Sequence, residues 1–579
     1  MRTMLRCRST WMLSTFILIT NMGFSQLTQE WVARFNGTGN GSDGARSLVI
    51  DNDGNVYVTG SATGTGTGLD YRTIKYGANG QIKWKALWNG PANGDDEAFS
   101  IALDSRGNVY VTGRSEGTGT GFDFVTIKYN SSGVRQWSAR FNGPENGFDW
   151  AKSIKADSKG NVYVTGGSGL GAGTTSDYVT IKYNTNGVRQ WLARYDGPGR
   201  NDESNALALD EDGNVYVTGR SPAGQDLDEQ DMDYATIKYN NNGQQIWVRR
   251  YDGPYMFNEY DEALDITVDH WKNVYVTGRS AASNAESSND YTTVKYDVNG
   301  NEKWSARYNG PGNSTDEALS IGVDASQNVY VTGYSAAGPE ETNFDYATIK
   351  YNINGQQSWV KRYNGPANDQ DQATSLALDA AGNVYVTGRS MGTGTGYDFA
   401  TIKYNGAGVE QSVARYNGPA NNADDTGIFI GFYTSHPIAV DKNGNVYVTG
   451  LSAGINTAFD ITTIKYSQPN AALITGRLDQ PSVVNNAIPA SNHVFVAPNP
   501  ASVYTKISYE LPVEGKVSIA IYDMLGRRIK TLVEATKPAG YHSIDFNVAT
   551  IQTGMYTYQI MVKTAKTSWS ETGKISVIK

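Results

Sequence analysis

The hexapeptide Asn-Val-Tyr-Val-Thr-Gly at Asn108–Gly113 decides the fold of this chain because it occurs eight times, at intervals of 53 to 62 residues. Its alternating Val, Tyr and Thr side chains are typical of a β-strand that packs on both faces. A repeat of this length indicates a supersecondary unit copied along the chain. The tyrosines of the eight copies are Tyr57, Tyr110, Tyr163, Tyr216, Tyr275, Tyr330, Tyr385 and Tyr447.

Three further segments recur once with each copy of the hexapeptide and also have the composition of β-strands. In the second copy they are Ala98–Asp104, Asp123–Tyr129 and Trp137–Pro144. A D-x-x-G-N turn joins the first two strands, and an N-x-x-G turn joins the last two. Glycine at the end of each turn supplies the positive φ that a tight hairpin needs. Each repeat is therefore predicted to form a four-stranded antiparallel sheet.

Four-stranded sheets repeating about every 55 residues are typical of the blades of a β-propeller. The fourth strand occurs first at Trp31, ahead of any complete repeat, and the last copy ends at Tyr466 without a fourth strand. Pairing these two ends gives eight blades over residues 31–467 and removes two exposed sheet edges. We therefore predict an all-β chain with an eight-bladed propeller whose ring is closed by the N-terminal strand.

The repeat resembles the SBBP family of β-propeller repeats. The resemblance rests on D-x-x-G-N-V-Y-V-T-G-x-S, followed by D-[YF]-x-T-I-K-Y and Trp, and it extends over Trp31 to Ser467. The family name implies seven blades, whereas this sequence contains eight copies. The family has no general set of catalytic residues to transfer to this chain.

The first residues are typical of a secretory signal peptide. Arg2, Arg6 and Arg8 precede an apolar stretch from Trp11 to Met22, and Ser25 precedes a plausible cleavage point. The single cysteine, Cys7, lies within this segment, so the remaining chain has no thiol chemistry. We assign residues 1–25 to the signal peptide and expect no later transmembrane segment.

Charge argues against nucleic acid as a partner. The net charge is −9, and the signal segment contributes three arginines to it, so the rest of the chain is more acidic still. An acidic chain is soluble and repels phosphate backbones. We expect a secreted, extracellular protein, and a propeller that is monomeric.

After Tyr466 the repeat stops. Residues 468–492 have no clear period and are predicted to be a linker. From residue 493 to residue 579, short alternating segments separated by Gly and Pro predict a small β-sandwich.

This C-terminal segment resembles the type A C-terminal sorting domain of the type IX secretion system of Bacteroidetes. The matching residues are Pro498-Asn499-Pro500, Tyr522-Asp523, Gly526, Gly554-Met555-Tyr556 and the terminal Lys579. The resemblance implies export by that secretion machinery as a partner of residues 493–579. It also implies removal of this domain, with release of the protein or its anchoring at the outer-membrane surface.

Motifs for catalysis, cofactors or metals are weak. The chain has four histidines, and His270 and His436, the two in the propeller, lack a G-x-S-x-G nucleophile motif. The Gly64–Gly68 type of loop lacks the Lys-Ser/Thr pair and the helix of a phosphate-binding loop. Asp51–Asn55 resembles a calcium loop only superficially, because most other copies lack its second oxygen ligand. We expect no cofactor, no metal and no enzymatic activity.

Two repeated aspartates are candidate ligand-binding residues. One precedes the first strand of each blade, where eight carboxylates would surround one mouth of the central channel, and another opens each third strand. Capping of loop amides, cation or sugar binding, and glycoside hydrolysis by a carboxylate pair are the alternatives. The first set is Asp43, Asp96, Asp149, Asp202, Asp261, Asp316, Asp371 and Asp425; the second is Asp70, Asp123, Asp177, Asp233, Asp290, Asp345, Asp398 and Asp460.

The variable-loop face is the end of the blades formed by the loops between second and third strands, such as 64–68, and the loops between blades, such as 142–148. Loop length varies at this end, whereas the D-x-x-G-N and N-x-x-G turns opposite are nearly constant. Length variation in repeat proteins tends to mark the binding face. Its aromatic residues suit sugar stacking or a protein contact, and packing over the channel mouth is the alternative. They are Tyr255, Phe257 and Tyr260, then Phe429, Phe432 and Tyr433, then Phe148 and Trp150.

Three functions remain open from the sequence. The leading hypothesis is a non-enzymatic recognition or adhesion protein that binds a glycan or a protein through the variable-loop face. The second is an extracellular carbohydrate-active enzyme that uses the acidic residues at the channel mouth. The third is a structural surface protein without a small-molecule ligand.

Overall fold

The computed structural model of this 579-residue chain describes sixteen segments. Every regular element in them is a β-strand, and no helix among them is long and apolar enough to cross a membrane. The segments are 26–144, 146–169, 176–198, 201–224, 231–254, 260–281, 288–339, 343–426, 436–468, 494–497, 504–511, 513–523, 526–538, 540–549, 551–564 and 568–577. The predicted signal peptide, and the predicted linker apart from Gln468, lie outside them.

Seven four-stranded antiparallel sheets follow one another along the chain, each in sequential strand order as predicted. Blades 1 to 3 are β2 (Gly44–Ile50), β3 (Val56–Thr63), β4 (Leu69–Tyr76), β5 (Ile82–Trp88); β6 (Asp96–Leu103), β7 (Val109–Gly117), β8 (Gly121–Tyr129), β9 (Arg135–Phe141); and β10 (Asp149–Ala156), β11 (Val162–Gly169), β12 (Ser176–Tyr183), β13 (Arg189–Tyr195). Blades 4 and 5 are β14 (Glu203–Leu209), β15 (Val215–Pro222), β16 (Met232–Tyr239), β17 (Gln245–Tyr251); and β18 (Glu262–Val268), β19 (Val274–Ala281), β20 (Asn289–Tyr296), β21 (Glu302–Tyr308). Blades 6 and 7 are β22 (Asp316–Val323), β23 (Val329–Ala336), β24 (Phe344–Tyr351), β25 (Gln357–Tyr363); and β26 (Asp371–Leu378), β27 (Val384–Gly392), β28 (Gly396–Tyr404), β29 (Glu410–Tyr416).

The eighth blade uses both ends of the repeat region. The N-terminal strand β1 (Thr28–Phe35) pairs antiparallel with β33 (Phe459–Ser467), and β33 pairs with β32 (Val446–Ala453). The first strand of this blade is split into β30 (Asp424–Asp425) and β31 (Ile438–Val440), which both pair with β32. The sheet therefore has five strands rather than the predicted four. The pairing of the N-terminal strand with the last repeat is as predicted.

Successive blades pack face to face around the inner strands. The first strand of each blade contacts the first strand of the next, and β2 of blade 1 also contacts β31 and β32 of blade 8. Leu48 and Val58 of blade 1 share a core cluster with Tyr447 and Ile461 of blade 8. We interpret these contacts as the join between the two ends of the propeller.

Tryptophan on the outer strand connects seven of the eight blades to the next blade. Trp84 lies 6.1 Å from Tyr57 of its own blade and 6.1 Å from Tyr129 of the next, measured between ring centroids. Its indole N–H donates to Ser131 O in the neighbouring turn at 3.0 Å. Gly133 of that turn has φ of 81°, and a Cβ there would lie 2.6 Å from the indole ring. The turn therefore needs glycine at this position both for its positive φ and for the close approach of the indole.

Blade 7 lacks this tryptophan, and the N-terminus compensates for it. Ser412 occupies the Trp position of β29, and its Oγ accepts a hydrogen bond from Leu27 N at 2.9 Å. Leu27 is buried in a cluster with Tyr385 and Tyr466, the two tyrosines between which a tryptophan would otherwise lie. The residue just before β1 thus completes the interface between blades 7 and 8.

The C-terminal segment forms two antiparallel sheets with a common core, in agreement with the predicted sandwich. One sheet has the order β34 (Val494–Ala497), β35 (Tyr504–Leu511), β38 (Gly540–Asn547), and the other has β37 (Arg528–Lys537), β36 (Gly515–Asp523), β39 (Gly554–Thr564), β40 (Ser568–Val577). Ile507 and Phe546 from the first sheet pack in one cluster with Val517, Ile519 and Ile560 from the second.

Candidate functional site

The variable-loop face lies at the end of the propeller away from both chain connections. Thr28 pairs with Ser467 where β1 begins and β33 ends, which is the end of the constant turns. The variable loops therefore lie at the other ends of β1 and β33 from Thr28 and Ser467. The candidate site is built at that end from the beginnings of the inner strands.

The repeated aspartate before each inner strand is buried and caps a loop amide, which is one of the alternatives that the sequence left open. Asp149 is 0% exposed, and its Oδ2 accepts from Gly143 N at 2.6 Å in the preceding loop. Burial raises its pKa to about 6, against hydrogen bonds from Ser168 and Gly143 that lower it. Asp96, Asp202, Asp261 and Asp316 are also 0% exposed and make the same bond to a glycine N–H. These carboxylates therefore cap the loops that precede the inner strands.

The eighth member of this set is Asp424, not Asp425 as the sequence suggested. Asp424 Oδ2 accepts from Gly418 N at 2.5 Å, the bond that defines the set. Asp425 lies one residue further along β30 and pairs with Arg389 of blade 7 at 2.9 Å. Two adjacent aspartates made the register ambiguous in the sequence, and the backbone contact resolves it.

The second set of aspartates is held by arginines from the outer strands. Arg140 Nη1 lies 2.6 Å from Asp123 Oδ2, and Arg140 Nη2 donates to Ser115 Oγ at 2.6 Å. The equivalent pairs are Arg34–Asp460, Arg194–Asp177, Arg250–Asp233, Arg307–Asp290, Arg362–Asp345 and Arg415–Asp398. These seven pairs tie the outer strand of a blade to its third strand, so this set also has a structural role.

Blade 1 departs from that rule. Leu87 takes the place of the arginine on the outer strand, and Arg72 on the third strand, β4, provides the positive charge near Asp70 instead. Arg72 is attracted by Asp70 and Asp43, and its guanidinium lies 4.7 Å from the Phe35 ring centroid.

A belt of ion pairs connects neighbouring blades beneath the variable loops. Its members follow the capping aspartate in the inner strand or lie opposite that strand on the second strand. Sequence reasoning missed this network because four of its seven pairs join residues of different repeats. The pairs are Arg46–Glu97, Arg114–Glu97, Lys152–Glu203, Arg220–Glu203, Arg279–Glu262, Arg279–Glu317 and Arg389–Asp425.

Glu203 has three polar partners in the belt. It lies 2.5 Å from Lys152 Nζ and 2.7 Å from Arg220 Nη2, and it accepts from Trp150 Nε1 at 2.6 Å. Burial opposes its ionisation, but the attraction of Lys152 and Arg220 outweighs burial and lowers its pKa to about 2. Glu203 is therefore ionised at neutral pH.

Blade 3 interrupts the belt with an aromatic residue. Trp150 stands where blades 2, 4, 5 and 6 have glutamate, and Gly167 stands where blades 2, 4, 5 and 7 have arginine. A Cβ at Gly167 would lie 2.8 Å from the indole ring, so the glycine makes room for Trp150. The exchange replaces an ion pair by a partly exposed indole that is oriented by its bond to Glu203.

Phe148 adds an exposed ring beside this position. It is 59% exposed, and its ring centroid lies 6.0 Å from that of Phe122, which in turn lies 4.4 Å from the Arg114 guanidinium carbon. The backbone of Phe148 is held by a bond from Gly169 N to its carbonyl at 2.8 Å. We call Phe122, Phe148 and Trp150 the aromatic platform.

Tyr260, from the loop between blades 4 and 5, covers two belt arginines. The guanidinium carbons of Arg220 and Arg279 lie 5.4 and 4.7 Å from its ring centroid. This position over the two arginines is compatible with a structural packing role for Tyr260 and also with a role in ligand binding. The other predicted aromatics of this face, Tyr255, Phe257, Phe429, Phe432 and Tyr433, lie outside the described residues.

Two groups of three carboxylates could approach a cation: Asp177, Asp196 and Asp202, and Asp233, Asp252 and Asp261. Each group contains an aspartate already paired with an arginine, Arg194 or Arg250, and a capping aspartate already bonded to a glycine N–H. Proximity alone therefore does not assign an ion to either group.

The remaining candidates lie at the opposite end of the propeller. His270 is in an exposed turn and pairs with Glu211 at 2.9 Å, as expected for a surface residue. Two polar clefts of about 330 and 560 Å³ flank the turn Asp51–Gly54. Neither contains the predicted site residues.

Comparison with known families agrees with this architecture. The chain contains β-propeller repeats of the SBBP type, matched at residues 30–66, 90–119, 189–223, 303–339, 359–394 and 433–456. It also carries a secretion system C-terminal sorting domain, matched at residues 495–574 and belonging to the type IX system. The protein is therefore a secreted, repeat-built propeller of the outer-membrane surface. No curated protein matches the sequence.

Solved structures resemble the fold only distantly. A eukaryotic initiation factor matches with a TM-score of 0.38 at 10% identity, covering 90% of this chain and 98% of its own. A gluconolactonase from Xanthomonas campestris matches with a TM-score of 0.27 at 11% identity, covering 53% and 93%. A neuraminidase-like protein of A/flat-faced bat/Peru matches with a TM-score of 0.34 at 10% identity, covering 78% and 98%. These values carry no argument about function.

Proposed function

We propose that the propeller is a non-enzymatic recognition module that binds glycans through the aromatic platform on its variable-loop face. The observation that carries this proposal is the exchange at blade 3, where Trp150 and Gly167 replace an ion pair beside the exposed ring of Phe148. Aromatic rings held in place beside charged groups suit a sugar, whose C–H face stacks on a ring while its hydroxyls bond to polar neighbours.

The surroundings of the platform support a sugar ligand. Arg114 flanks Phe122 on one side, and Glu203 bonds to Trp150 on the other. The bond from Gly169 N to the Phe148 carbonyl restrains the backbone that carries the exposed ring before any ligand arrives. A restrained platform loses little conformational entropy on binding.

The buried carboxylates favour binding over hydrolysis. A glycosidase needs two carboxyl groups facing one substrate bond. The repeated aspartates at this end cap loop amides or pair with arginines. Export to the outer-membrane surface is consistent with a ligand outside the cell.

A glycan array probed with the full chain tests this proposal. We expect the variant Phe148→Ala to lose binding, and the double variant Trp150→Glu, Gly167→Arg to lose it as well. The double variant restores the Glu–Arg pair that blades 2, 4 and 5 already contain, so folding should be retained. Ile455→Ala, at a residue that is 64% exposed in a loop of blade 8 on the same face, is the matched control.

The rival functions predict other outcomes. Release of soluble product from a polysaccharide would support the carbohydrate-active enzyme. If the propeller captures a protein ligand and both platform variants still bind it, the binding site lies on another part of the variable-loop face. Wild-type protein that binds neither glycan nor protein would support the structural role.

A further inference from the structure

The loop between blades 4 and 5 departs from the repeat at its first residue. At six of the eight blade interfaces this residue is asparagine, and its amide donates to a second asparagine four residues later, as from Asn142 Nδ2 to Asn146 Oδ1 at 2.7 Å. The loop between blades 4 and 5 has Asp252 at the first position and methionine at the second. It therefore cannot form the bond between two amides, and it presents an exposed carboxylate instead.

Asp252 lies beside two buried carboxylates from the adjoining blades. Asp233 lies near the start of the third strand of blade 4, and Asp261 precedes the first strand of blade 5. One oxygen of each of the three carboxylates lies within 4.8 Å of the corresponding oxygens of the other two. Two oxygens that each bind one calcium ion at about 2.3–2.6 Å are at most about 5 Å apart. The three oxygens are therefore close enough together to share one ion.

Asp233 contributes a buried oxygen that is unpaired within the described part of the chain. Its side chain is more than nine-tenths buried, and its Oδ2 accepts from Arg250 Nε at 2.8 Å. Its Oδ1 is buried and has no hydrogen-bond partner among the described residues. Because Arg250 occupies Oδ2, Oδ1 is the oxygen left for the group. A buried carboxylate oxygen without a donor is unfavourable, so it indicates a ligand that completes its contacts.

Asp261 is held in place and still has acceptor capacity. Its Oδ2 accepts from Gly253 N at 2.6 Å, and its Oδ1 accepts from Ala281 N at 3.0 Å. An ionised carboxylate has about four acceptor positions on its two oxygens, so these two bonds leave room for a further contact. The loop and the second strand of blade 5 thus fix the position of this carboxylate before a ligand binds.

The charges of the group also favour a cation. Burial raises the pKa of Asp233 to about 6, against the attraction of Arg250, which lowers it. The charges of Asp252 and Asp261 raise this pKa further. Burial likewise raises the pKa of Asp261. A divalent cation between the three carboxylates would offset both the loss of water and the repulsion among them.

We propose that Asp233, Asp252 and Asp261 bind one calcium ion between blades 4 and 5. Calcium accepts irregular sets of about six to eight oxygens, whereas magnesium requires a nearly octahedral set. Each carboxylate supplies at least one oxygen, and water completes the coordination on the exposed side of Asp252. The ion replaces the missing bond between amides and links the two blades. The site differs from the expectation of no metal drawn from the sequence, and it does not depend on the proposed glycan contact.

Titration calorimetry with calcium chloride tests the proposal on the full chain. The group of Asp177, Asp196 and Asp202 between blades 3 and 4 has a similar spacing, so Asp196→Asn serves as the reference protein. We expect the reference protein to bind calcium saturably with a Kd of about 0.1–1 mM, the range of extracellular calcium modules. Adding Asp252→Asn should weaken binding by about tenfold or more, because a charged ligand is lost.

The double variant should fold, because both substitutions introduce the asparagine that six interfaces of the propeller already contain. Its far-ultraviolet circular dichroism without calcium should match that of the reference protein. Calcium should raise the melting temperature of the reference protein but not of the double variant, since an ion that binds only the folded chain stabilises it.

Two control variants, each made in the reference protein, test whether calcium binding depends on this group alone. Asp212→Asn, in an exposed turn at the other end of blade 4, should leave calcium affinity unchanged. Phe148→Ala should also leave it unchanged, which distinguishes failure of this site from failure of the platform. The proposal is overturned if the reference protein shows no saturable calcium binding, or if the double variant binds calcium as tightly as the reference protein does.

Discussion

Removing the charge of Glu203 should destabilise the propeller by about 3 kcal/mol at pH 7. The pKa of Glu203 falls from an ordinary 4.5 to about 2, and a shift of that size corresponds to about 3 kcal/mol of stability. Loss of one partner from a buried ion pair costs about 3–5 kcal/mol, which agrees. Glu203→Gln keeps the shape and the acceptor oxygen, since Gln372 at the same position of blade 7 accepts from Arg389 at 2.8 Å.

The pH dependence follows from the sign of the shift. A lowered folded-state pKa contributes stability above the unfolded value, here 4.5, and loses it as the pH falls towards about 2. The difference between wild type and variant in urea-induced unfolding, followed by tryptophan fluorescence, should therefore shrink to less than half between pH 7 and pH 3. A difference that is constant over this range, or absent at pH 7, would refute the reasoning. Glu211→Gln, at an exposed turn, is the control.

Leu27→Ala should lower the melting temperature and cost about 2–3 kcal/mol of unfolding free energy, because it leaves a cavity beside Ser412. Chemical denaturation measures this loss. An unchanged denaturation midpoint would show that Leu27 does not substitute for the missing tryptophan. Burial raises the pKa of Asp316 to about 6, so the wild type should lose stability relative to Asp316→Asn as the pH rises from about 4 to about 6. If the difference in unfolding free energy between wild type and variant stays constant over this pH range, the raised pKa of Asp316 is contradicted. Trp304→Ala should cost about 3 kcal/mol in urea unfolding, because its indole contacts two blades, whereas Trp271→Ala, at a residue that is 40% exposed, should cost clearly less.

The strand content and the blade count were predictable because the information is local and repeated. Period-two alternation in Asn108–Gly113 and turn glycines such as Gly133 determine each hairpin regardless of the rest of the chain. The count of fourth strands also predicted the pairing of Trp31 with the last repeat, which the register Trp31–Lys465 confirms. The split of the eighth inner strand into β30 and β31 was missed, because nothing in a single copy reports an interruption of pairing.

The candidate site was less predictable. The sequence identified the repeated aspartates and offered loop capping as one of their possible roles. It did not predict their burial, because the burial of a carboxylate depends on how the loop closes around it. The register of Asp424 and Asp425 was also wrong. The sequence singled out Trp150 as a candidate, whereas Gly167, which makes room for its indole, was missed, although comparing the two positions across copies would have revealed the exchange.

The sequence by itself determined the repeating unit, the number of blades and the sorting domain, because each follows from strand period, turn chemistry and the spacing of local motifs. Only the tertiary structure decided which charges face each other, because the partners come from different blades. The belt pairs Arg46–Glu97 and Arg389–Asp425, and the bond from Leu27 to Ser412, join residues of different blades that are far apart in sequence. Such contacts form only when neighbouring blades pack around the inner strands.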